Sequence, residues 1–133
     1  MTLNIDHIGC LVPDIGEAIA DYQLLHPGGA VSELFHIPAQ AVNVQFFSFG
    51  NVRIELVQPL DESSSLFRML KKNPGFYHIG VFTDDIDAEI ARLEDSGYKS
   101  VNKFISPAFG GRYCAFMFNT QMQLIELIES SVK

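Results

Sequence analysis

The stretch Ile5-Asp6-His7-Ile8-Gly9 decides the fold, because its last three residues return 71 positions later as His78-Ile79-Gly80. Three further pairs of segments share this shift: Asp14-Ile15 with Asp85-Ile86, Ile19-Ala20 with Ile90-Ala91, and Ile54-Glu55-Leu56 with Ile125-Glu126-Leu127. A fixed period of this kind is typical of one supersecondary unit used more than once. The chain is therefore predicted to contain two copies of the same module.

The first copy is predicted to run β-α-β-β-β. An apolar run over 4–11 has the length of a strand and stops at Val12-Pro13-Asp14. Asp14 is a good N-cap for a helix that ends before Pro27-Gly28-Gly29. The apolar face of this helix follows the helical period at Ile15, Ala18, Ile19, Tyr22 and Leu25. Extended runs follow near 31–37, 42–49 and 51–58.

The second copy repeats this order, with a strand at 76–82, a helix at 85–96, and extended runs near 98–105, 112–118 and 122–128. Between the copies, Asp61-Glu62-Ser63 has the pattern of a capped start for a helix over 66–72. The predicted fold class is α+β: two βαβββ modules that form a curved mixed sheet with the helices outside. We predict a single domain over 1–133, with modules at 1–60 and 76–133 and the linking helix within 61–75.

The composition is that of one folded domain: 133 residues, 47% hydrophobic and 19% charged. The net charge of -7 argues against a nucleic-acid or anionic-membrane partner, because phosphate binding needs basic patches. The first residues lack the pattern of a signal peptide, and no apolar stretch is long enough for a transmembrane helix. We therefore expect a cytoplasmic protein in which Cys10 and Cys114 are buried, reduced thiols.

Four ionisable residues stand inside apolar strands, and the repeat relates His7 to His78 and Glu55 to Glu126. Alone, each would be a surface residue or a hydrogen-bonded core residue, since burying a charge is costly. Two equivalent His-Glu pairs converge on one point if the copies pack about a pseudo-twofold axis. Two imidazoles and two carboxylates would then suit one divalent ion, and Mn, Fe, Co, Ni and Zn are not distinguished. Two structural ion pairs in the sheet core are the alternative.

This arrangement resembles the vicinal oxygen chelate superfamily, also called the glyoxalase/bleomycin resistance/dioxygenase superfamily, over essentially the whole chain. Within that superfamily it looks closest to the methylmalonyl-CoA epimerases. The similar segments are Ile5-Asp6-His7-Ile8-Gly9, Val31-Ser32-Glu33, Phe49-Gly50-Asn51, Ile54-Glu55-Leu56, Pro59-Leu60-Asp61-Glu62-Ser63, Tyr77-His78-Ile79-Gly80, Asp84-Asp85-Ile86, Gly110-Gly111 and Leu124-Ile125-Glu126-Leu127. The resemblance implies that His7, Glu55, His78 and Glu126 hold one divalent metal ion beside a small-molecule substrate.

The resemblance also implies proton transfer on a small carboxylate, acyl thioester or thiohemiacetal, by an epimerase, an isomerase or a glyoxalase I-like lyase. Glu126 is the first candidate for the base, because it matches the acid with metal and base roles in the family, and Glu55 is the second. An extradiol dioxygenase fits less well, since Glu55 fills the position that those enzymes keep open. The alternatives are a non-catalytic binding or resistance protein of the same fold and a regulatory domain with a structural metal. Family habit and exposed sheet edges favour a homodimer.

Two segments depart from the epimerase pattern. Where the epimerases have Pro-Glu-Gln-Gly after the second strand, this chain has Pro38-Ala39-Gln40-Ala41, so an acid associated with proton transfer is absent. The last hairpin is reduced to Asn119-Thr120-Gln121, without the family's His-Pro-Lys and longer glycine-rich turn. Both changes leave the four metal ligands intact. The resemblance therefore identifies the superfamily and leaves the substrate, including a coenzyme A thioester, open.

Overall fold

The structure is a computed structural model that describes residues 4–131. Within this range the chain forms nine strands of a mixed sheet, three α-helices and a short 3-10 helix, which confirms the predicted fold class. In chain order the elements are β1 (Ile5–Leu11), α1 (Ile15–Leu25), β2 (Ala30–Val31), β3 (Phe35–Ile37), β4 (Val42–Ser48), β5 (Arg53–Pro59), α2 (Phe67–Lys72), β6 (Gly75–Thr83), α3 (Ile86–Asp95), β7 (Lys99–Ser106), the 3-10 helix (Pro107–Phe109), β8 (Arg112–Phe118) and β9 (Leu124–Glu129).

Residues 7–77 form one compact unit, which we call the first unit. Its strands are ordered β2-β4-β5-β1, and β3 also pairs with β4. β1 and β5 are parallel, whereas β4 is antiparallel to β2, β3 and β5. The parallel pair is joined by a crossover that contains α1, whereas β3 and β4, and β4 and β5, are antiparallel neighbours joined by short turns.

Residues 4–6 and 78–131 form a second compact unit, the second unit. Its strands are ordered β6-β9-β8-β7, with β6 and β9 parallel and β8 antiparallel to both of its neighbours. The N–H of Phe82 in β6 donates a hydrogen bond to the carbonyl of Asn4 over 3.1 Å. The beginning of the described chain is therefore part of the unit that contains its end.

Helices α1 and α3 begin at equivalent aspartates. The Asp14 carboxylate accepts a hydrogen bond from the N–H of Glu17 at 3.0 Å, and Asp85 accepts one from the N–H of Ala88 at 3.1 Å. Both aspartates have extended backbone conformations, as N-cap residues do. Each carboxylate satisfies a backbone donor that has no partner within the helix, so the helix starts predicted from the sequence are confirmed.

A second contact fixes each helix to the strand that closes its unit. The N–H of Ile15 donates to Oε1 of Gln58 at the end of β5 over 2.9 Å. In the second unit the N–H of Ile86 donates to Oε2 of Glu129 at the end of β9 over 2.7 Å. The two acceptors are related by the 71-residue shift, so the duplicated sequence preserves this tertiary contact as well as the local caps.

Each of these helices covers one face of its own unit. Around α1 the packed residues are Cys10, Val12, Ile15, Ile54 and Leu56, with Ile8, Ala18, Ile19, Tyr22 and Phe49 against them. Around α3 they are Val81, Ile86, Leu93, Ala115, Met117 and Leu127, with Ile90, Tyr98, Tyr113 and Ile125 against them. Because side chains alternate along a strand, the residues between these positions lie on the opposite face.

The structure corrects two details of the first copy. The single run predicted over 31–37 is two short strands, β2 and β3. The hydroxyl of Ser32 accepts a hydrogen bond from the N–H of Phe46 and donates one to the carbonyl of Glu33, which bends the chain between the two strands. Leu25, which the sequence pattern predicts on the apolar face of α1, is the last residue of the helix and is 72% exposed.

The linking segment also differs from the prediction. A helix is present, but it begins at Phe67, and Asp61 does not cap it. The Asp61 carboxylate instead accepts hydrogen bonds from the N–H and the hydroxyl of Ser63, which closes a turn and lowers the pKa of Asp61. Asx-type turns of this kind compete with helix starts, and here the turn is favoured over the cap.

Two further predictions concern membrane-spanning helices and the state of the two cysteines. Across residues 4–131 no helix is both long enough and apolar enough to span a membrane. Cys10 and Cys114 are free and buried, as predicted. Burial raises the pKa of the Cys10 thiol, and a hydrogen bond with Tyr22 opposes part of that effect, so the thiol is neutral at pH 7.

We expect Asp14→Ala and Asp85→Ala each to lower the free energy of unfolding by about 1 kcal/mol, because each change leaves a helix donor without its cap. Urea denaturation followed by circular dichroism measures the loss. Asp21→Ala, on the exposed side of α1, is the control and should change the unfolding free energy by less than about 0.5 kcal/mol. Equal effects in all three variants would contradict the assigned caps.

Tyr22 provides a test at alkaline pH. Burial, with the charge and the hydrogen bond of Cys10, raises the pKa of Tyr22 from its usual 10 to about 12. The unfolded chain then loses the tyrosine proton at a lower pH than the folded chain does, so the unfolding free energy should fall as the pH rises from 10 towards 12. We expect a smaller decline for Tyr22→Phe in urea titrations at pH 8, 10 and 11; parallel declines would show that this contact is absent.

Candidate metal centre

The first His-Glu pair is set by the parallel strands β1 and β5. Gly9 is the register partner of Glu55, and His7 precedes Gly9 by two residues, so all three lie on the face that α1 does not cover. Nε2 of His7 and Oε1 of Glu55 are 3.5 Å apart. His7 is 0% and Glu55 4% exposed, so both polar side chains are withdrawn from bulk water.

The second unit builds the same pair from β6 and β9. Gly80 is the register partner of Glu126, and His78 precedes Gly80 by two residues. Nε2 of His78 lies 3.4 Å from Oε1 of Glu126, and the two residues are 5% and 3% exposed. In both units a glycine, which has no side chain, is the register partner of the glutamate on the neighbouring strand.

An aromatic ring packs against each histidine. Phe46 of β4 is directly opposite Glu55, and its ring meets the His7 imidazole edge-on, with centroids 6.0 Å apart. Phe116 of β8 is directly opposite Glu126, and its ring meets that of His78 at 5.2 Å. Such edge-to-face contacts restrict the rotation of the imidazoles and exclude water from one side of them.

Sequence reasoning missed these two phenylalanines. A shift of 71 residues relates Phe46 to Met117, whereas the structure places Phe116 in the equivalent position. The β8–β9 hairpin is therefore one residue longer between its aromatic and its glutamate than the β4–β5 hairpin. An aromatic residue nine or ten positions before each strand glutamate is the sequence pattern that could have identified these two phenylalanines.

The four residues predicted as metal ligands form one buried group. One ligand atom from each of His7, Glu55, His78 and Glu126 lies within 4.8 Å of the other three. The group could therefore hold a metal ion. The other two histidines are placed differently: His26 caps the end of α1 and stacks on Phe49, and His36 is exposed on β3.

The donor set fits a divalent ion. Both His-Glu separations, 3.5 and 3.4 Å, exceed the ~2.9 Å of an ordinary hydrogen bond. Two ligands that each bind one ion at ~2.1 Å are roughly 3.0–3.4 Å apart, which is close to the separations seen here. Two carboxylates would also balance the charge of a divalent ion in a buried site, where uncompensated charge is costly. Imidazole nitrogen with carboxylate oxygen is the ligand chemistry of borderline transition ions.

The sequence profile of the glyoxalase/bleomycin resistance protein/dioxygenase superfamily matches residues 6–116, and the chain belongs to this superfamily. The predicted resemblance is thereby confirmed. Among the chain's relatives, one activity recurs: methylmalonyl-CoA epimerase.

Three of these relatives show the extent of the likeness. The human mitochondrial methylmalonyl-CoA epimerase is 30% identical over 116 residues, which are 86% of this chain and 65% of the human protein. The ethylmalonyl-CoA/methylmalonyl-CoA epimerase of Cereibacter sphaeroides is 36% identical over 96 residues, 71% of each chain. A variant of Streptomyces coelicolor methylmalonyl-CoA epimerase in complex with 2-nitronate-propionyl-CoA superposes with a TM-score of 0.83 at 26% identity, covering 96% of this chain and 97% of that one.

If the four residues hold an ion, the metal should stabilise the fold. We expect metal-free protein to gain roughly 5–10 °C in Tm with Mn²⁺, Co²⁺, Ni²⁺ or Zn²⁺ at a hundredfold excess over its Kd. His78→Ala and Glu126→Ala should lose this gain, and mass spectrometry should find about one equivalent of metal per chain only in the parent.

His36→Ala and Glu33→Ala, at exposed positions, are matched controls and should retain both the metal and the thermal gain. Metal content that survives both His78→Ala and Glu126→Ala would mean that the four buried residues form structural ion pairs.

Proposed function

We propose that this protein is a metal-dependent epimerase of an acyl-CoA thioester whose reacting carbon lies between the thioester carbonyl and a carboxylate. The observation that carries the proposal is the buried group of two histidines and two glutamates. The epimerase relatives supply the substrate class, since one of them is an ethylmalonyl-CoA/methylmalonyl-CoA epimerase and the structure of another contains 2-nitronate-propionyl-CoA. A substrate of this kind presents two neighbouring oxygens, which suit a single ion with free coordination positions.

In this proposal His7, Glu55, His78 and Glu126 bind the ion. When bound, a divalent metal supplies Lewis acidity to the two substrate oxygens and so makes the C–H bond between them more acidic. The imidazoles contribute neutral nitrogen ligands, and Phe46 and Phe116 hold their rings in position. Binding the substrate through two oxygens also fixes its orientation relative to the glutamates.

The proton is moved by the two glutamates. The Glu126 carboxylate takes the proton from the reacting carbon: the C–H bond breaks and an O–H bond forms on the carboxylate. Glu55 takes up a proton from solvent and delivers it to the opposite face of the same carbon, where a C–H bond forms as the O–H bond of Glu55 breaks. Loss of the abstracted proton from Glu126 to solvent then restores both groups. The exposures of 4% for Glu55 and 3% for Glu126 mean that bulk water competes little with either transfer.

The loop after β3 departs from the epimerase pattern, so the proposal assigns no step to it. Pro38-Ala39-Gln40-Ala41 forms a turn that carries no acid, so it offers no carboxylate for proton transfer. The turn at 119–123 is also compact, because the Asn119 side chain accepts hydrogen bonds from the N–H groups of Gln121 and Gln123. The strand glutamates are therefore the groups to which we assign the chemistry.

The proposal also includes the homodimeric assembly and the cytoplasmic location that the sequence analysis predicts. A glyoxalase I-like lyase and a non-catalytic binding protein are the competing functions. The first would consume the adduct of glutathione and methylglyoxal, and the second would bind a thioester without changing it. Both are distinguished from the epimerase by the following measurement.

Deuterium exchange tests the proposal. Methylmalonyl-CoA in D₂O with the Co²⁺-loaded protein should gain one mass unit at the reacting carbon well above the rate in buffer. Glu126→Gln should slow this exchange by at least ~10², the size of a general-base contribution, and Glu55→Gln should slow conversion between the epimers. Glu33→Gln is the exposed control and should behave as the parent.

Exchange no faster than in buffer, with metal bound, would exclude the epimerase. Binding of the thioester without exchange would then favour the non-catalytic protein, and turnover of the glutathione adduct would favour the lyase.

A further inference from the structure

Helix α2 concentrates positive charge in an acidic protein. Of the nine lysines and arginines in the chain, Arg68, Lys71 and Lys72 fall within this helix of six residues. Two cations of the second unit form ion pairs: Arg92 pairs with Glu89 and Lys103 with Asp87. Among residues 4–131, the three cations of α2 form no ion pair, so their charge is available to a ligand.

Two cavities flank α2, both within the first unit. The smaller, of about 290 Å³, is lined by Glu62, Phe67, Arg68 and Lys71. The larger, of about 520 Å³, shares Phe67 and Lys71 with it and extends over Leu60. The Lys71 ammonium lies 4.7 Å from the centroid of the Phe67 ring, so the shared wall is both aromatic and cationic. We call the two cavities together the α2 groove.

The larger cavity of the groove has mainly apolar walls, and the smaller cavity is charged. Pro59, Leu60, Leu70 and Pro74 supply apolar walls to the larger cavity. At the smaller cavity two cations face a single carboxylate, that of Glu62. A ligand complementary to these surfaces combines an uncharged chain with a terminal group of more than one negative charge.

The position of the groove along β5 relates it to the candidate metal centre. Glu55, Val57 and Pro59 alternate onto the same face of this strand. Pro59 follows Glu55 by four residues, so the two residues lie roughly 13 Å apart along the strand. The pantetheine arm of coenzyme A has twelve bonds from its sulfur to its phosphate oxygen, as many as about four residues of extended chain, or roughly 13–14 Å.

We propose that the α2 groove holds the phosphate end of the pantetheine arm of an acyl-CoA and that Arg68 and Lys71 bind its phosphate groups. This inference rests on the proposed function for the position of the thioester. It adds a recognition site for the part of the substrate that does not react. Phosphate binding there accounts for the local excess of cations in a chain of net charge -7.

The test compares two substrates with the same reacting group, methylmalonyl-CoA and methylmalonyl-pantetheine, which lacks the phosphates and the nucleotide. In Arg68→Gln/Lys71→Gln we expect kcat/KM for deuterium exchange to fall about tenfold for the coenzyme A thioester and to stay unchanged for the pantetheine thioester. The loss should lie in KM, and added salt should weaken binding of the coenzyme A thioester in the parent only. Lys99→Gln, an exposed lysine of the second unit, is the control.

Titration calorimetry with coenzyme A itself separates this inference from the proposed function, because it needs no turnover. Coenzyme A that binds the parent and Lys99→Gln about tenfold more tightly than Arg68→Gln/Lys71→Gln would support the groove even if no exchange occurs. An equal affinity for the double variant and the control, or no binding to the parent, would overturn it even if the protein proves to be an epimerase.

Discussion

The burial of two histidines and two glutamates within apolar strands is the constraint on which the rest of the structure depends. Each of these residues is at most 5% exposed. Burying an ionised side chain in such surroundings costs several kcal/mol unless a bound ion or a charge of opposite sign compensates it. The same arrangement occurs in both units: a helix covers one face of the strands, and the opposite face carries His, Gly, Glu and Phe at equivalent positions. Stability alone does not require this arrangement, since a purely apolar face would avoid the cost.

Much of the fold and the buried group of two histidines and two glutamates could be predicted because both repeat. A single buried histidine has several ordinary explanations, but His7 and His78 recur with Glu55 and Glu126 at the same shift, and coincidence becomes a poor explanation. Asp14 and Asp85 likewise identify the helix starts through local chemistry that depends little on the rest of the chain.

The features that escaped prediction depend on contacts between distant residues. The hydroxyl of Ser32 divides a predicted strand only because Phe46 is positioned to bond it. Phe116 replaces Met117 beside the histidine because one hairpin is a residue longer, which a constant shift cannot represent. The α2 groove is assembled from three separate segments, and no local pattern in any of them indicates a cavity.

The hydrogen bond between Phe82 and Asn4 has a consequence for how the protein is made. As the chain leaves the ribosome, Asn4 emerges early, yet its partner in β6 does not exist until residue 82 has been synthesised. The first unit, within 7–77, lies between the two partners in the sequence, so residues 4–6 must wait until β6 has been made. Glu129 at the end of β9 then completes the N-terminus of α3, so the second unit closes only after residue 129 has been synthesised.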